Sequence, residues 1–136
     1  MAYDPYIHFQ GNCAEAMQFY QGLFGGDLAL MTYGEMPGAP PEMQGSARVM
    51  HACLTTGGRV LMASDFPPGM QGDAQAAVSV SHPVADLAEG QRIFTALSDG
   101  GAVLMDFAPT FWSDGFGMVK DRFGTHWMVS GPARQG

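Results

Sequence analysis

Basic residues are scarce in this sequence of 136 residues: Lys and Arg number 6 against 13 Asp and Glu, for a formal net charge of −7. A protein that binds nucleic acid neutralises phosphates with a basic surface, and this chain has too few cations to form one. The same deficit disfavours attachment to anionic membrane surfaces. We therefore expect no nucleic-acid partner and no membrane partner.

Long apolar segments are also missing, since no apolar run approaches the roughly 18 residues of a membrane-spanning helix. The first residues, MAYDPYIHF, lack the basic stretch and following apolar run of a secretory signal. We therefore expect a cytoplasmic protein. Its two cysteines, Cys13 and Cys53, fit no CxxC or zinc pattern, so we expect two buried free thiols and no disulfide.

Familiar catalytic motifs are absent as well: the chain has no nucleophile elbow, no P-loop and no GxGxxG. The glycine-rich stretch GFGMVKDRFG lies between predicted strands, whereas a phosphate-binding loop leads from a strand into a helix. The four histidines, His8, His51, His82 and His126, show no HxH or HxxxH spacing. Spacing alone therefore predicts no metal site.

What the sequence does contain is a duplication. FYQGLFGGDLALM (19–31) and IFTALSDGGAVLM (93–105) are each typical of the end of an amphipathic helix, a glycine stop and a strand. Each copy follows a short apolar run and precedes further strand-like segments, so each half predicts the order βαβββ. We predict an α+β fold in one domain over residues 1–136. Its first module spans 3–66, its linker 67–75 and its second module 76–131.

Local signals refine this prediction. Asn12 followed by Glu15 predicts the start of the first helix with a capping box. TTGGRV (55–60) predicts a two-glycine hairpin turn. The segment rich in glycine and proline over 33–47 predicts a loop, and its length makes it a candidate cover for a site. Asp121 is expected to fix the turn in DRFG through backbone hydrogen bonds.

A pair of βαβββ units, the second of which ends in KDRFGTHWMV, resembles the vicinal-oxygen-chelate superfamily of glyoxalases, bleomycin-resistance proteins and dioxygenases. The finer similarity is to its PhnB-like group, also named the 3-demethylubiquinone-9 3-methyltransferase domain family. The similar segments are PYIHFQGNCAEAMQFYQGLFGG, YGEMP, VMHACL, LMASD and TFWSDGFGMVKDRFGTHWM. The resemblance implies a curved eight-stranded mixed sheet around an open cavity, with helices outside, and a homodimer.

Metal-dependent members of that superfamily have four metal ligands, on the first and last strand of each module. Carried over to this sequence, the positions are Met62, Met128, Ala76 or Ala77, and Pro5. His8 is an odd number of residues from Pro5 and is expected on the other face of its strand. Thioether and methyl groups do not hold a hard divalent ion. We therefore expect no metal ion and no cofactor.

The methyltransferase name of the group would require a site for an adenosyl cofactor. Such a site commonly uses a glycine-rich loop after the first strand of a parallel sheet, and no segment of this chain matches it. We expect the name to describe the family and not the activity.

The predicted ligand site follows from strand alternation, once the resemblance has placed Met62 and Met128 on the cavity side. Ser64 and His126 then face the same side, and Trp112, in the loop before the seventh strand, could close the mouth. A mostly apolar set with hydroxyls and an imidazole is typical of a small-molecule pocket. Methionine and tryptophan in strands also serve as core residues, and the sequence does not decide between these roles.

Three functions remain open. The first is binding of a small, partly apolar ligand without a metal. The second is a metal-free enzyme that uses His51 or His126 as general base. The third is a metalloenzyme whose displaced ligands come from His8, His51, His126 and Glu35.

Overall fold

The chain forms two modules with the predicted order βαβββ, each a four-stranded mixed sheet with one helix. The structure is a computed structural model, and it describes residues 3–134. The chain divides into two compact units, one ending at Ala74 and the other beginning at Gln75. The predicted α+β fold is confirmed, with the eight strands arranged as two hydrogen-bonded sheets of four.

The first module has strand order β1-β4-β3-β2, in which β1 pairs with β4 in parallel and the other pairs are antiparallel. Two single 3-10 turns, Tyr33–Glu35 and Pro41–Met43, interrupt the predicted loop between β2 and β3. The elements are β1 (Tyr6–Phe9), α1 (Cys13–Phe24), β2 (Asp27–Thr32), β3 (Val49–Thr56) and β4 (Arg59–Asp65).

The second module repeats this arrangement with strand order β5-β8-β7-β6, and β5 is parallel to β8. The elements are β5 (Ser79–Pro83), α2 (Leu87–Ser98), β6 (Ala102–Ala108), β7 (Phe116–Lys120) and β8 (His126–Ser130). None of the helices in residues 3–134 is long and apolar enough to cross a membrane.

Each helix covers one face of its own sheet because its apolar residues recur every three or four positions. Alternate strand residues complete the core beneath it. In the first module this core includes Ala16, Met17, Tyr20, Ile7, Phe9, Ala52, Leu54 and Ala63. In the second it includes Ile93, Phe94, Leu97, Val119, Trp127 and Val129. The opposite face of each sheet, which its own helix does not cover, is called the helix-free face below.

Two glycine predictions are confirmed. Gly25 ends α1 with φ of +78°, and its N–H donates to the carbonyl of Gln21. Gly57 and Gly58 connect β3 to β4 with φ of +56° and +79°. Positive φ at both central positions is the geometry of a tight hairpin turn that matches the strand twist.

The predicted capping box at the start of α1 is wrong. Asn12 occupies the N-cap position, but its side chain makes no capping hydrogen bond. Asp65 at the end of β4 replaces it: its Oδ1 accepts from the backbone N–H groups of Gly11 and Cys13, at 2.8 and 2.9 Å. A strand residue distant in sequence thus satisfies the first N–H of the helix and one N–H just before it. Glu15 has no capping role here.

Asp121 fixes the turn before β8, as predicted. Its Oδ1 accepts from the backbone N–H groups of Phe123 and Thr125, each at 2.9 Å. Its Oδ2 accepts from the indole N–H of Trp127 at 2.9 Å. Because Asp121 and Trp127 are both buried, the polar end of the segment KDRFGTHW is largely a structural network.

Candidate functional site

The helix-free face of the first module gathers polar and aromatic side chains from three strands. In the parallel pair, Tyr6 lies opposite Met62 and His8 opposite Ser64. In the antiparallel pair, Cys53 lies opposite Met62. Residues opposite one another on neighbouring strands share a face, so all five side chains are on the same side of the sheet.

Three of these side chains, Tyr6, His8 and Ser64, make direct contacts with one another or with His51 and Phe66. The Tyr6 hydroxyl is 3.1 Å from Nδ1 of His51, and the Ser64 hydroxyl is 3.4 Å from Nδ1 of His8. The Tyr6 ring also contacts both imidazoles, with centroid distances of 5.2 Å to His8 and 5.7 Å to His51. Phe66 stacks on His8 at 5.4 Å. We call Tyr6, His8, His51, Ser64 and Phe66 the Tyr–His cluster.

The position of His8 corrects the sequence prediction. His8 shares the face of Met62 and Ser64, because it lies directly opposite Ser64 in the parallel pair. Pro5 lies before β1, and its carbonyl accepts from the N–H of Met62. The count from the first helix failed because it crossed Gly11, whose φ of +113° breaks strand alternation. His8 and His51 therefore both lie on the helix-free face, whereas the sequence prediction had excluded His8 from it.

The predicted site residues lie in two separate modules. Met62 and Ser64 are on the helix-free face of the first module. His126 and Met128 are on the helix-free face of the second, since Trp127 and Val129 between them are buried on the helix side. Trp112 precedes β7, and its ring contacts that of Phe116 at 5.5 Å. That these five residues bind one ligand stays a prediction.

The residues of the helix-free faces do not fit a resident metal ion. Within residues 3–134, no three His, Cys, Asp or Glu side chains lie close enough together to hold one. Glu35, the only carboxylate among the displaced ligands considered, accepts hydrogen bonds from the backbone N–H and hydroxyl of Thr32. His8 and His51 contact hydroxyl groups and aromatic rings. These contacts do not include a carboxylate that could complete a metal site.

The fourth histidine has a different environment. His82 lies opposite Val129 in the register of β5 and β8, on the helix side of the second sheet. Burial lowers the pKa of the His82 imidazole, while the nearby carboxylate of Glu89 acts in the opposite direction. A lowered pKa on the helix side of a sheet is typical of a partly buried imidazole.

The loop after β2 is anchored at its first residue. Tyr33 is buried, and its hydroxyl donates to the carbonyl of Asp65 at 2.8 Å. Burial is the main cause that raises the pKa of this phenol. The anchor fixes one end of the loop beside the end of β4, whereas its role as a cover for a site stays a prediction.

The cysteines differ more than expected. Cys13, the first residue of α1, is fully buried, but Cys53 is only half-buried, so the prediction of two buried thiols is wrong for Cys53. Its position on the helix-free face explains the difference, because this face is not covered by α1. Alternation within β3 contained this information, since Cys53 lies between the core residues Ala52 and Leu54.

Sequence reasoning missed Tyr6, Phe66 and Lys120. Tyr6 alternates with the buried Ile7, a signal that was present in the sequence. Lys120 lies directly opposite His126, but that pairing depends on the register of β7 and β8. Phe66 follows the last residue of β4, so strand alternation gave no prediction for it.

The sequence matches the model of the family described as 3-demethylubiquinone-9 3-methyltransferase over residues 2–130. Protein YjdN of Escherichia coli K12 is 34% identical over 143 residues, which cover 96% of this chain and 95% of YjdN. The crystal structure of protein PA1353 from Pseudomonas aeruginosa is 40% identical with a TM-score of 0.88, covering 96% of this chain and 97% of that one.

The PhnB protein of Bacillus cereus is 24% identical with a TM-score of 0.78, covering 97% of this chain and all of that one. Solved structures named glyoxalase/bleomycin resistance protein/dioxygenase have TM-scores of 0.59 at 13–15% identity, which indicates a shared fold alone. The chain therefore belongs to the PhnB-like 3-demethylubiquinone-9 3-methyltransferase family and has the glyoxalase/bleomycin-resistance/dioxygenase fold.

Proposed function

We propose that this chain binds a small organic molecule without a metal ion, on the helix-free face of the first module. The observation that supports this most is the Tyr–His cluster, in which two imidazoles and a phenol lie in contact on one sheet face. Tyr6 is 41% exposed, and His8 and His51 are exposed as well. Hydrogen bonds between exposed groups add little to folding stability, so stability alone gives no reason for this arrangement.

The chemistry of this face suits a planar, partly polar molecule. The rings of Tyr6, His8 and Phe66 offer flat surfaces for stacking. The hydroxyl and imidazole groups provide donors and acceptors that would fix the orientation of a ligand, while Met62 adds an apolar floor. We include Trp112, His126 and Met128 of the second module as a further ligand-binding surface.

A specific contact favours a second function, a metal-free enzyme with His51 as general base. If Nδ1 of His51 donates to the Tyr6 hydroxyl oxygen, the lone pair of Nε2 is free to accept a proton from a substrate. An α-proton next to a carbonyl is a suitable target for such a base. Exchange of that proton for deuterium in D2O, lost in His51→Gln, would distinguish catalysis from binding.

Methyl transfer is not part of the proposal, because the chain does not fit an adenosyl cofactor. Such cofactors commonly bind beyond the ends of neighbouring parallel strands, beside a helix N-terminus with free N–H groups. Each sheet here has a single parallel pair. At the start of α1, the N–H of Cys13 is already bound by the carboxylate of Asp65.

A binding screen tests the proposal. Protein dialysed against EDTA is screened by thermal shift with hydroxy-ketones, aromatic acids and glycopeptide-type drugs, and each hit is titrated by calorimetry. Tyr6→Phe is expected to weaken binding by about five- to tenfold, the equivalent of one hydrogen bond of ~1 kcal/mol. Tyr3→Phe, the same change at a tyrosine that is 99% exposed, should bind like the wild type.

Two outcomes would contradict the proposal: no compound binds, or binding requires a metal that EDTA has removed. A hit that is equally weakened by Tyr6→Phe and Tyr3→Phe would also count against the Tyr–His cluster as the site.

We also propose that the chain forms a homodimer, as the resemblance implies. The outer strands β2 and β6 expose apolar side chains, which soluble proteins usually cover. These side chains are Leu30, Met31, Val103, Leu104 and Met105. The dimer and the cytoplasmic location stay predictions.

A further inference from the structure

The helix-free face of the second module changes in chemistry from one end of its strands to the other. Strand register defines three rows of side chains across β5, β8 and β7. The first row is polar and cationic, the second is rich in methionine and the third ends in an aromatic ring. In that order, the rows are Ser79, His126 and Lys120; Ser81, Met128 and Met118; and Pro83, Ser130 and Phe116.

The first row contains the only lysine of the chain. Lys120 is exposed and lies directly opposite His126 in the antiparallel pair. Side chains at such positions have Cβ atoms about 4.5–5.5 Å apart, so the ammonium and the imidazole can contact one group together. Within residues 3–134 the Lys120 ammonium has no hydrogen-bond or ion-pair partner.

His126 has an unsatisfied polar atom in the same row. Its Nδ1 is buried and has no hydrogen-bond partner among the described residues. Buried polar atoms are nearly always hydrogen-bonded, so an unpaired one calls for an explanation. Because this atom has no solvent contact, a polar group of a ligand can pair with it only after the imidazole turns toward the open side of the face. Ser79, opposite His126 on the other side, adds a hydroxyl donor.

The third row ends in the aromatic ring of Phe116, which is buried. Phe116 contacts Trp112, which is 48% exposed, at a ring distance of 5.5 Å. The loop that bears Trp112 is held by the buried hydroxyl of Ser113, which donates to the carbonyl of Gly115. Lys120 lies four positions after Phe116 in β7, a distance of about 13 Å along an extended strand.

We infer that this face binds an organic anion whose carboxylate or phosphoryl group is held by Lys120, His126 and Ser79. The apolar body of the anion lies along Met118 and Met128 toward the aromatic rings of Trp112 and Phe116. This inference rests on the proposed function, since it names the class of one ligand. The chain is negatively charged as a whole and should repel anions over most of its surface. The Lys120 ammonium makes the first row the place where an anion is attracted.

Matched acid and amide probes test the inference. The probes are 4-phenylbutyrate, 4-phenylbutyl phosphate and the neutral 4-phenylbutyramide, titrated by calorimetry into wild type and variants. At least one of the two anions is expected to bind about tenfold more tightly than the amide, since hydrogen bonds to charged groups are the stronger ones. Comparison of the two anions distinguishes a carboxylate from a phosphoryl ligand.

Lys120→Gln is expected to weaken binding of the preferred anion about tenfold and leave the amide unchanged. Arg92→Gln is the matched control, because it removes the same charge from the exposed surface of α2, where Arg92 pairs with Glu89. This control should change the affinity less than twofold. His126→Ala should weaken binding of the anion several-fold with little loss of thermal stability, since Nδ1 has no partner among residues 3–134 that would be left unsatisfied.

Equal affinity for anion and amide would overturn the inference, as would equal effects of Lys120→Gln and Arg92→Gln. Absence of binding by all three probes would also overturn it. In each case the proposed function is judged separately, by whether the compound screen yields a hit that depends on Tyr6.

Discussion

Replacing Asp65 with alanine is expected to lower the free energy of unfolding by about 3–5 kcal/mol, near the upper limit for a single substitution. The carboxylate is 1% exposed and accepts three backbone N–H groups, from Gly11, Cys13 and Val49. Alanine would leave these donors without a partner in the interior, at roughly 1–3 kcal/mol each, with partial relaxation. The start of α1 and the start of β3 would both lose an anchor.

Urea unfolding followed by circular dichroism measures this change. Asp73→Ala, at an exposed position, is the matched control and should shift stability by less than about 0.5 kcal/mol. Asp65→Asn should fall between the two, because an amide retains one acceptor oxygen but points N–H groups at a backbone donor. A loss of under 1 kcal/mol for Asp65→Ala would show that the network is not essential to the fold.

The second large effect is in cysteine reactivity. Iodoacetamide is expected to modify Cys53 and leave Cys13 unmodified in the native protein. Burial, together with the nearby Asp65 carboxylate, raises the pKa of the Cys13 thiol from its ordinary value of 9.0 to about 12. The reactive thiolate is therefore about a thousandfold rarer than for an ordinary thiol at the same pH, and the side chain is inaccessible as well.

Mass spectrometry of peptides after brief alkylation at pH 8 gives the two rates, and alkylation in urea provides the control in which both residues react. Comparable rates in the native protein would contradict the burial of Cys13. Cys53 lies opposite Met62 in the sheet. A ligand on that face should therefore slow its alkylation.

The order of elements could be predicted because its signals are local. The helix period, the glycine after α1 and the glycine pair in the β3–β4 turn are each determined by neighbouring residues. The turn at Asp121 was also predictable, since its backbone partners lie two and four residues away. The hydrogen bond from the Trp127 indole to Asp121 was not predictable, because it depends on the path of β8 after the turn.

The errors came from long-range contacts. Asp65 caps the start of α1 in place of the predicted capping box, and it lies 52 residues beyond Cys13. A contact at that separation is not indicated by any local pattern. The Tyr–His cluster depends on a contact between Tyr6 and His51 across 45 residues. His8 was assigned to the wrong face because alternation was counted through a turn. Side-chain alternation within a strand was reliable, whereas register between strands was not available from the sequence.

The two helix-free faces suggest a division of roles. The first presents stacked rings with hydroxyl and imidazole groups, and the second presents one cationic end and one aromatic end. Both lack a set of His, Cys, Asp and Glu side chains that fits a metal within residues 3–134. The rings and hydrogen-bonding groups of the two faces are the basis for the proposed recognition of an organic molecule.

The most direct test of this account is methyl NMR of protein labelled with 13C at the methyl groups of its 11 methionines. A compound from the screen should shift the methyl signal of Met62, which lies in the sheet opposite Tyr6. The signal of Met17, which is fully buried on the inner side of α1, should stay unchanged. If compounds bind but none shifts Met62, or if Met62 shifts only together with Met17, the helix-free face of the first module is not the binding site.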